Sequence, residues 1–382
     1  MLSTRREWLA GAAAGLMPGL RAASAPPPPA DPVAIGKCRS YGAELVPALE
    51  RLFDQLGGLG RLVKGKTVAV KLNLTGNPDY RLGHAPAGLA HWTHPAMIGA
   101  AVHLMGKAGA RRVRLLESPW NTADPLEEYM IDAGWEPRDF LSAAGLVEFE
   151  NTNWLGSGRR YARMPVPGHA FMYPAFDLNH SYADCDVFVT IAKLKEHATA
   201  GVTLSMKNSF GTAPCTIYGD GAPVDEPSPV PHGGRGIFHS GERQPSRSAP
   251  GELDPRGPRE GGYRVPRIVT DLVAARPIHL AIIDGIATMT GGEGPWIQNC
   301  RLVQPGVLLA GTNPVTTDAV ATAVMGFDPL ATRGQAPFEK CDSTLELAEA
   351  RGLGTRDLKR IEVRGARVSE VRFDFRKPGR AT

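Results

Sequence analysis

Lys193, Lys195, His197, Lys207 and Asn208 share one stretch, Val187–Gly211, VFVTIAKLKEHATAGVTLSMKNSFG. Val187–Ala192 is a short apolar run rich in β-branched residues, the pattern of a buried strand. Strand side chains alternate, so Lys193, Lys195 and His197 are expected on one side if the chain stays extended. Lysines brought together repel and lose hydration unless carboxylates or an anionic ligand balance them. Two kinds of chemistry follow. Such a set binds phosphate or carboxylate. An amine whose pKa is lowered by crowding can also act as a base or form a Schiff base.

The other predicted strands end in the same kinds of residue. Thr67–Leu74, TVAVKLNL, presents Lys71 and Asn73 on one face. Val113–Leu116 ends in Glu117-Ser118, and His279–Ile283 in Asp284-Gly285. Thr290–Pro295, TGGEGP, is a glycine-rich turn carrying Glu293. Val307–Leu309 leads through Gly311-Thr312-Asn313 into a helix, Pro314–Met325. There Asn313 suits the N-cap, Pro314 the first helical position and Asp318 the early helix. These endings predict one convergent polar site, lysine-rich on one side and acidic on the other. Its candidate catalytic groups are Lys193, Lys195, His197, Lys207 and Asp318. Its candidate substrate-binding groups are Lys71, Asn73, Asn208, Asp284 and Glu293. Asp284, Glu293, Asp318 and a histidine could instead hold a divalent metal, but they lack the close spacing of a dedicated metal motif. No metal or cofactor is assigned.

The elements that must position these groups alternate between strand and helix. Helical spacing marks Tyr41–Leu62, and further helices are expected at Ala96–Gly109, opened by Thr93-His94-Pro95, at Asp124–Ala133, closed by Gly134, at Tyr263–Ala275 and at Leu345–Ala350. Further strands are expected at Leu146–Glu150 and Ile361–Val363. The fold class is therefore α/β, a mostly parallel sheet with helices on both faces. In such sheets ligands bind beyond the carboxyl ends of the strands. One insertion, Ala213–Gly262, is crowded with Pro, Gly, Arg and Ser and is either a lid or disordered. Its histidines are His232 and His239.

The chain has 382 residues and a formal net charge of +4, too weak and dispersed to argue for nucleic acid. Thr4-Arg5-Arg6-Glu7-Trp8-Leu9 fits a twin-arginine export signal, followed by the apolar Leu9–Leu20 and a cleavage signature at Ala23-Ser24-Ala25. Residues 1–30 are thus read as a signal and Pro-rich linker, and 31–382 as one domain with its core at about 65–330. No other stretch is apolar enough to span a bilayer, so an exported, periplasmic chain handled by the twin-arginine machinery is expected. The five cysteines form no C-x-x-C pair, so iron–sulfur and zinc-ribbon spacing are absent.

Several of these segments resemble the family called domain of unknown function 362, or DUF362. The matching stretches are VAVKLNL, the THP before a helix, GARRVRLLESP, ADCDVFVTIAKLKEH, GVTLSMKNSFG, IIDGIATMTGGEGP and GTNPVTTDAVATAVMG. The resemblance implies an α/β core and supports the site residues proposed above, but it supplies no reaction. Some members carry a fused ferredoxin-like module, which implies redox work. This chain lacks that module, so a redox role would need a partner to supply electrons. Three functions stay open: an exported enzyme acting on a small anionic substrate, a periplasmic binding protein for an anion or metal complex, and an accessory factor for a redox partner.

Overall fold

Along Val187–Lys193 the side chains divide by parity. Val187, Val189 and Ile191 join one apolar cluster, and Phe188 and Ala192 join another. A strand buried on both faces does this, because successive side chains point to opposite sides. The computed structural model describes residues 26–120, 122–228, 230–231 and 233–377. The export signal, its cleavage signature and His232 lie outside them.

The sheet strands are β1 (Val33–Lys37), β2 (Thr67–Lys71), β3 (Arg112–Glu117), β4 (Val147–Asn151), β5 (Val187–Lys193), β6 (Leu280–Gly285), β7 (Val307–Gly311) and β8 (Val363–Gly365). Their order across the sheet is β8-β1-β7-β6-β5-β2-β3-β4. β7 pairs antiparallel with both neighbours, and the other pairings are parallel. The fold is α/β with a mostly parallel sheet, as expected. β1 went unread in the sequence.

Helices α1 (Leu45–Gln55) and α2 (Pro95–Lys107) pack on one face through Leu49, Leu52, Ile98 and Val102. Helices α3 (Leu204–Asn208), α4 (Gly261–Ala275) and α5 (Pro314–Val324) cover the other through Met206, Ile268, Leu272 and Val320. Asn313 caps α5 as the sequence indicates, its Oδ1 accepting from Val315 N at 2.9 Å, with Pro314 opening the helix.

The insertion is not disordered over its described residues. Tyr218, Ile237 and Phe238 are buried in the core. Glu252 and Arg264 form an ion pair with both side chains almost fully buried. Its glycines and prolines shape tight turns around a few aromatic anchors, which composition alone does not reveal. The insertion roofs the carboxyl end of the central strands.

Candidate functional site

Chain order reverses direction between two neighbouring strands. From β2 the chain steps outward to β3 and β4, and then β5 returns to the other side of β2. The crevice at such a switch point is where open α/β sheets bind ligands. A cavity of about 590 Å³ lies there, lined from β2 and β3 by Lys71, Asn73, Glu117 and Ser118. The segment after β5 adds His197, Lys207 and Asn208. The insertion contributes Arg235 and His239, and the TGGEGP turn contributes Glu293.

The lysines have different fates. Lys71 Nζ donates to Glu117 Oε1 at 2.5 Å and to the Leu72 carbonyl at 2.7 Å. Burial pulls its pKa down while Glu117 opposes the shift. The Lys207 amine makes no hydrogen bond among the described residues; its Nζ lies 3.8 Å from the centre of the Phe210 ring. Burial pushes its pKa down to about 7, with Glu293 pulling the other way and Arg235 and Lys195 adding to the depression. A ring face compensates an ammonium far less than a carboxylate does. Lys207 therefore presents an amine, substantially uncharged near neutrality, to the cavity.

Lys193 and Lys195 do point the same way, as their spacing predicts, but away from the cavity. Lys193 Nζ reaches the Gly88 carbonyl at 2.9 Å, and Lys195 Nζ the His91 carbonyl at 2.8 Å. Parity explains it: Lys193 follows Val187, Val189 and Ile191 onto the α2 face. Asp284, its register partner on β6, pairs with it at 2.9 Å, both side chains fully buried. Tyr41 donates to the same carboxylate at 2.8 Å. Placing Lys193, Lys195 and Asp284 in the cavity wall is therefore corrected. Lys195 lies behind the wall, its second bond going to the Glu293 carbonyl at 2.7 Å. Burial lowers its pKa to about 7.

His197 escapes that direction because β5 ends at Lys193 and the chain turns into a short hairpin, Glu196–His197 with Gly201–Val202. Its Nδ1 accepts from Thr199 N at 3.2 Å, which leaves the proton on Nε2 in the neutral ring. Burial, with Lys207 beside it, holds its pKa well below the ordinary value. His239 is likewise held down, to about 4. Both imidazoles are neutral. Glu293 is committed to Ala198 N at 2.9 Å and to the Trp296 indole N–H at 3.2 Å. Asn208 donates to Thr190 Oγ1 at 2.6 Å, and Asn73 accepts from Lys193 N at 3.2 Å.

Asp318 is behind the site rather than in it. Its carboxylate accepts from Ser205 N at 2.9 Å, Ser205 Oγ at 2.5 Å and Met206 N at 2.8 Å, at the start of α3. Burial nevertheless raises its pKa to about 7. Leu204, the residue before them, has φ +46°, a conformation that a side chain with a Cβ resists. The carboxylate thus anchors a strained turn from which Lys207 projects. Thr312 and Asn313 are also displaced from the expected site. β7 runs backwards, so its carboxyl end lies at the opposite edge of the sheet, with Gly311 paired to Val33 and Ala281.

Arg235 is the main cation that the sequence did not single out. Its Nε donates to the Ala213 carbonyl at 2.6 Å and its Nη2 to Ser118 at 2.8 Å. It pairs with no carboxylate among the described residues. The signal was its place between glycines, Gly233-Gly234-Arg235-Gly236. A Cβ on Gly236 would fall 1.9 Å from Asp220 Oδ1, which accepts from the Gly236 N–H at 2.7 Å, so any side chain there would displace that carboxylate. Trp120, Trp296, Tyr80 and Phe210 complete the wall, and the Trp120 indole N–H is buried without a partner among the described residues. Also among the described residues, no group of three or more His, Cys, Asp or Glu is placed to hold a metal ion, and no helix is long and apolar enough to cross a membrane.

Comparisons with known proteins agree with the sequence motifs. A thylakoid-associated protein of Synechocystis is 30% identical over 185 residues, which cover 48% of this chain and 50% of that protein. The chain thus spans about half the length of the curated relative it matches. Among solved structures, the lactate racemase apoprotein of Thermoanaerobacterium thermosaccharolyticum aligns with TM-score 0.33 and 10% identity, over 72% of this chain and 54% of that one. The family profile described as domain of unknown function (DUF362) matches residues 68–323, from β2 into α5 and across every segment that lines the cavity, and the chain belongs to that family.

Proposed function

We propose that this protein is an exported enzyme that binds a small organic anion in the switch-point cavity and uses the Lys207 amine on it. One observation carries the reading: Lys207 is buried in the cavity wall with an aromatic face in place of an oxygen acceptor. Arg235, whose charge no carboxylate neutralises among the described residues, supplies the anion-binding cation. An amine near pH 7 in its pKa accepts a proton or attacks a carbonyl without a separate base. A binding protein without chemistry is the second reading. It is favoured by Glu117 and Glu293, which are already committed to hydrogen bonds and so are poor general bases.

A thermal-shift series with phosphate and small carboxylates tests the proposal. The wild type is expected to be stabilised, and Arg235→Gln to lose that response. Equal responses from both would contradict it. The export signal belongs to the same proposal, and the thylakoid-associated relative is consistent with work outside the cytoplasm. Replacing Arg5 and Arg6 together by lysine should leave the precursor in the cytoplasm; unchanged export would refute that part.

A further inference from the structure

Of the lysines gathered around this site, one is placed to react covalently. Lys71 is tied to Glu117, Lys193 to Asp284, and Lys195 spends its donors on two carbonyls behind the wall. Lys207 alone among these four lines the cavity with an amine that has no hydrogen-bonded partner among the described residues. It stands against the Phe210 ring, which also lies 5.3 Å from the His239 ring. Arg235 is within electrostatic reach of the Lys207 nitrogen. Both line one cavity, so a ligand whose anionic group meets Arg235 shares that space with the amine. The cavity, about 590 Å³ and lined by Trp120, Trp296 and Tyr80, is roomier than the smallest acids need. Its remaining space suits a flat apolar ring, with the unpartnered Trp120 N–H offering a further donor.

Resting on the proposed function above, we infer that Lys207 forms an imine with an oxo acid that carries a ring-sized apolar group, its carboxylate held by Arg235. The uncharged Nζ adds its lone pair to the carbonyl carbon, and a C–N bond forms as the C=O π bond opens. The two protons that nitrogen gives up end on the carbonyl oxygen. That oxygen leaves as water as the C=N bond closes. No electrons are transferred, and no co-reactant is needed. The neutral imidazole of His239 lines the same cavity and is the group we assign to pass protons between nitrogen and oxygen. Burial supports the assignment. An amine with a pKa near 7 is unprotonated at pH 7 about a thousandfold more often than an ordinary lysine.

The test is reductive trapping of the full-length chain with phenylpyruvate and cyanoborohydride at pH 7, read by intact mass and peptide mapping. Thermal stabilisation by phenylpyruvate and by phosphate is measured in parallel. The expected result is a single adduct on Lys207, dependent on cyanoborohydride and absent from Lys207→Arg. Because the wild type carries the primary readout, the inference stays testable even if that variant folds poorly. Stabilisation by phenylpyruvate with no adduct on Lys207 would overturn the imine and leave the anion site standing. Adducts spread over surface lysines equally in wild type and variant would overturn it too. No stabilisation by either anion, and no adduct, would remove the anion site and the imine together.

Discussion

Lys193 and Lys207 leave the same stretch of sequence and end in different chemistry. Lys193 is an ammonium locked to Asp284 in a dry core, with Tyr41 on the same carboxylate. Removing one partner of such a pair strands a buried charge, at a cost of about 3–5 kcal/mol. Asp284→Ala should therefore lower stability by that order in a denaturant titration. The double variant Lys193→Met, Asp284→Ala should recover most of the loss and keep the anion response. Lys207 makes the opposite prediction about pH. Its folded pKa, about 7, lies below the ordinary lysine value of 10.5. Between those limits the unfolded chain holds more protons than the folded one, so stability rises with pH across that window. Lys207→Met removes this contribution, and its melting temperature should gain less than the wild type's between pH 7 and about 10. An identical gain in both proteins would show that Lys207 is not held uncharged. Residue type and spacing made both lysines candidates. Which of them meets a carboxylate depends on the register of β5 with β6, and one sequence does not reveal that.

Short elements carry the site's precision. α3 is only five residues long and starts beside a leucine at φ +46°. Asp318, from α5, satisfies the amide groups of Ser205 and Met206. Asp318→Ala would leave those buried donors unpaired, at about 1–3 kcal/mol, and let Lys207 drift. A drop in both melting temperature and anion response is expected from a thermal-shift comparison. Gly211 acts by taking no space. A Cβ there would sit 2.8 Å from Lys71 Nζ and 3.2 Å from Glu117 Oε1. Gly211→Ala should therefore cost about 1–3 kcal/mol and weaken anion binding by spreading the Lys71–Glu117 pair. Helices α1 and α4 were legible from their apolar stripes, and α2 and α5 from the His94-Pro95 and Asn313-Pro314 pairs that open them. Asp318 was read as a member of the site because acid type and position are visible in sequence, whereas the direction of a buried side chain is not.

At the scale of the molecule, alternating strands and helices were enough to place a polar site at the carboxyl edge of a parallel sheet. Strand order was not readable, and with it went the switch point between β2 and β5 and the reversal of β7. That reversal sends Thr312 and Asn313 to the far edge, away from the expected constellation. The insertion misled through composition. Few aliphatics suggested disorder, yet Tyr218, Ile237 and Phe238 anchor it, and it delivers Arg235 and His239. Replacing 213–262 by a short linker should lower the melting temperature and abolish the anion response, whereas a dispensable surface loop would change neither. The central claim is that Arg235 from the insertion and the Lys207 amine of α3 meet on one small anion. A crystal of the full-length protein soaked with phenylpyruvate tests it most directly. The account predicts density in the cavity, with the carboxylate on Arg235 and the oxo carbon at Lys207 Nζ. An empty cavity, or a ligand that contacts neither residue, would contradict it.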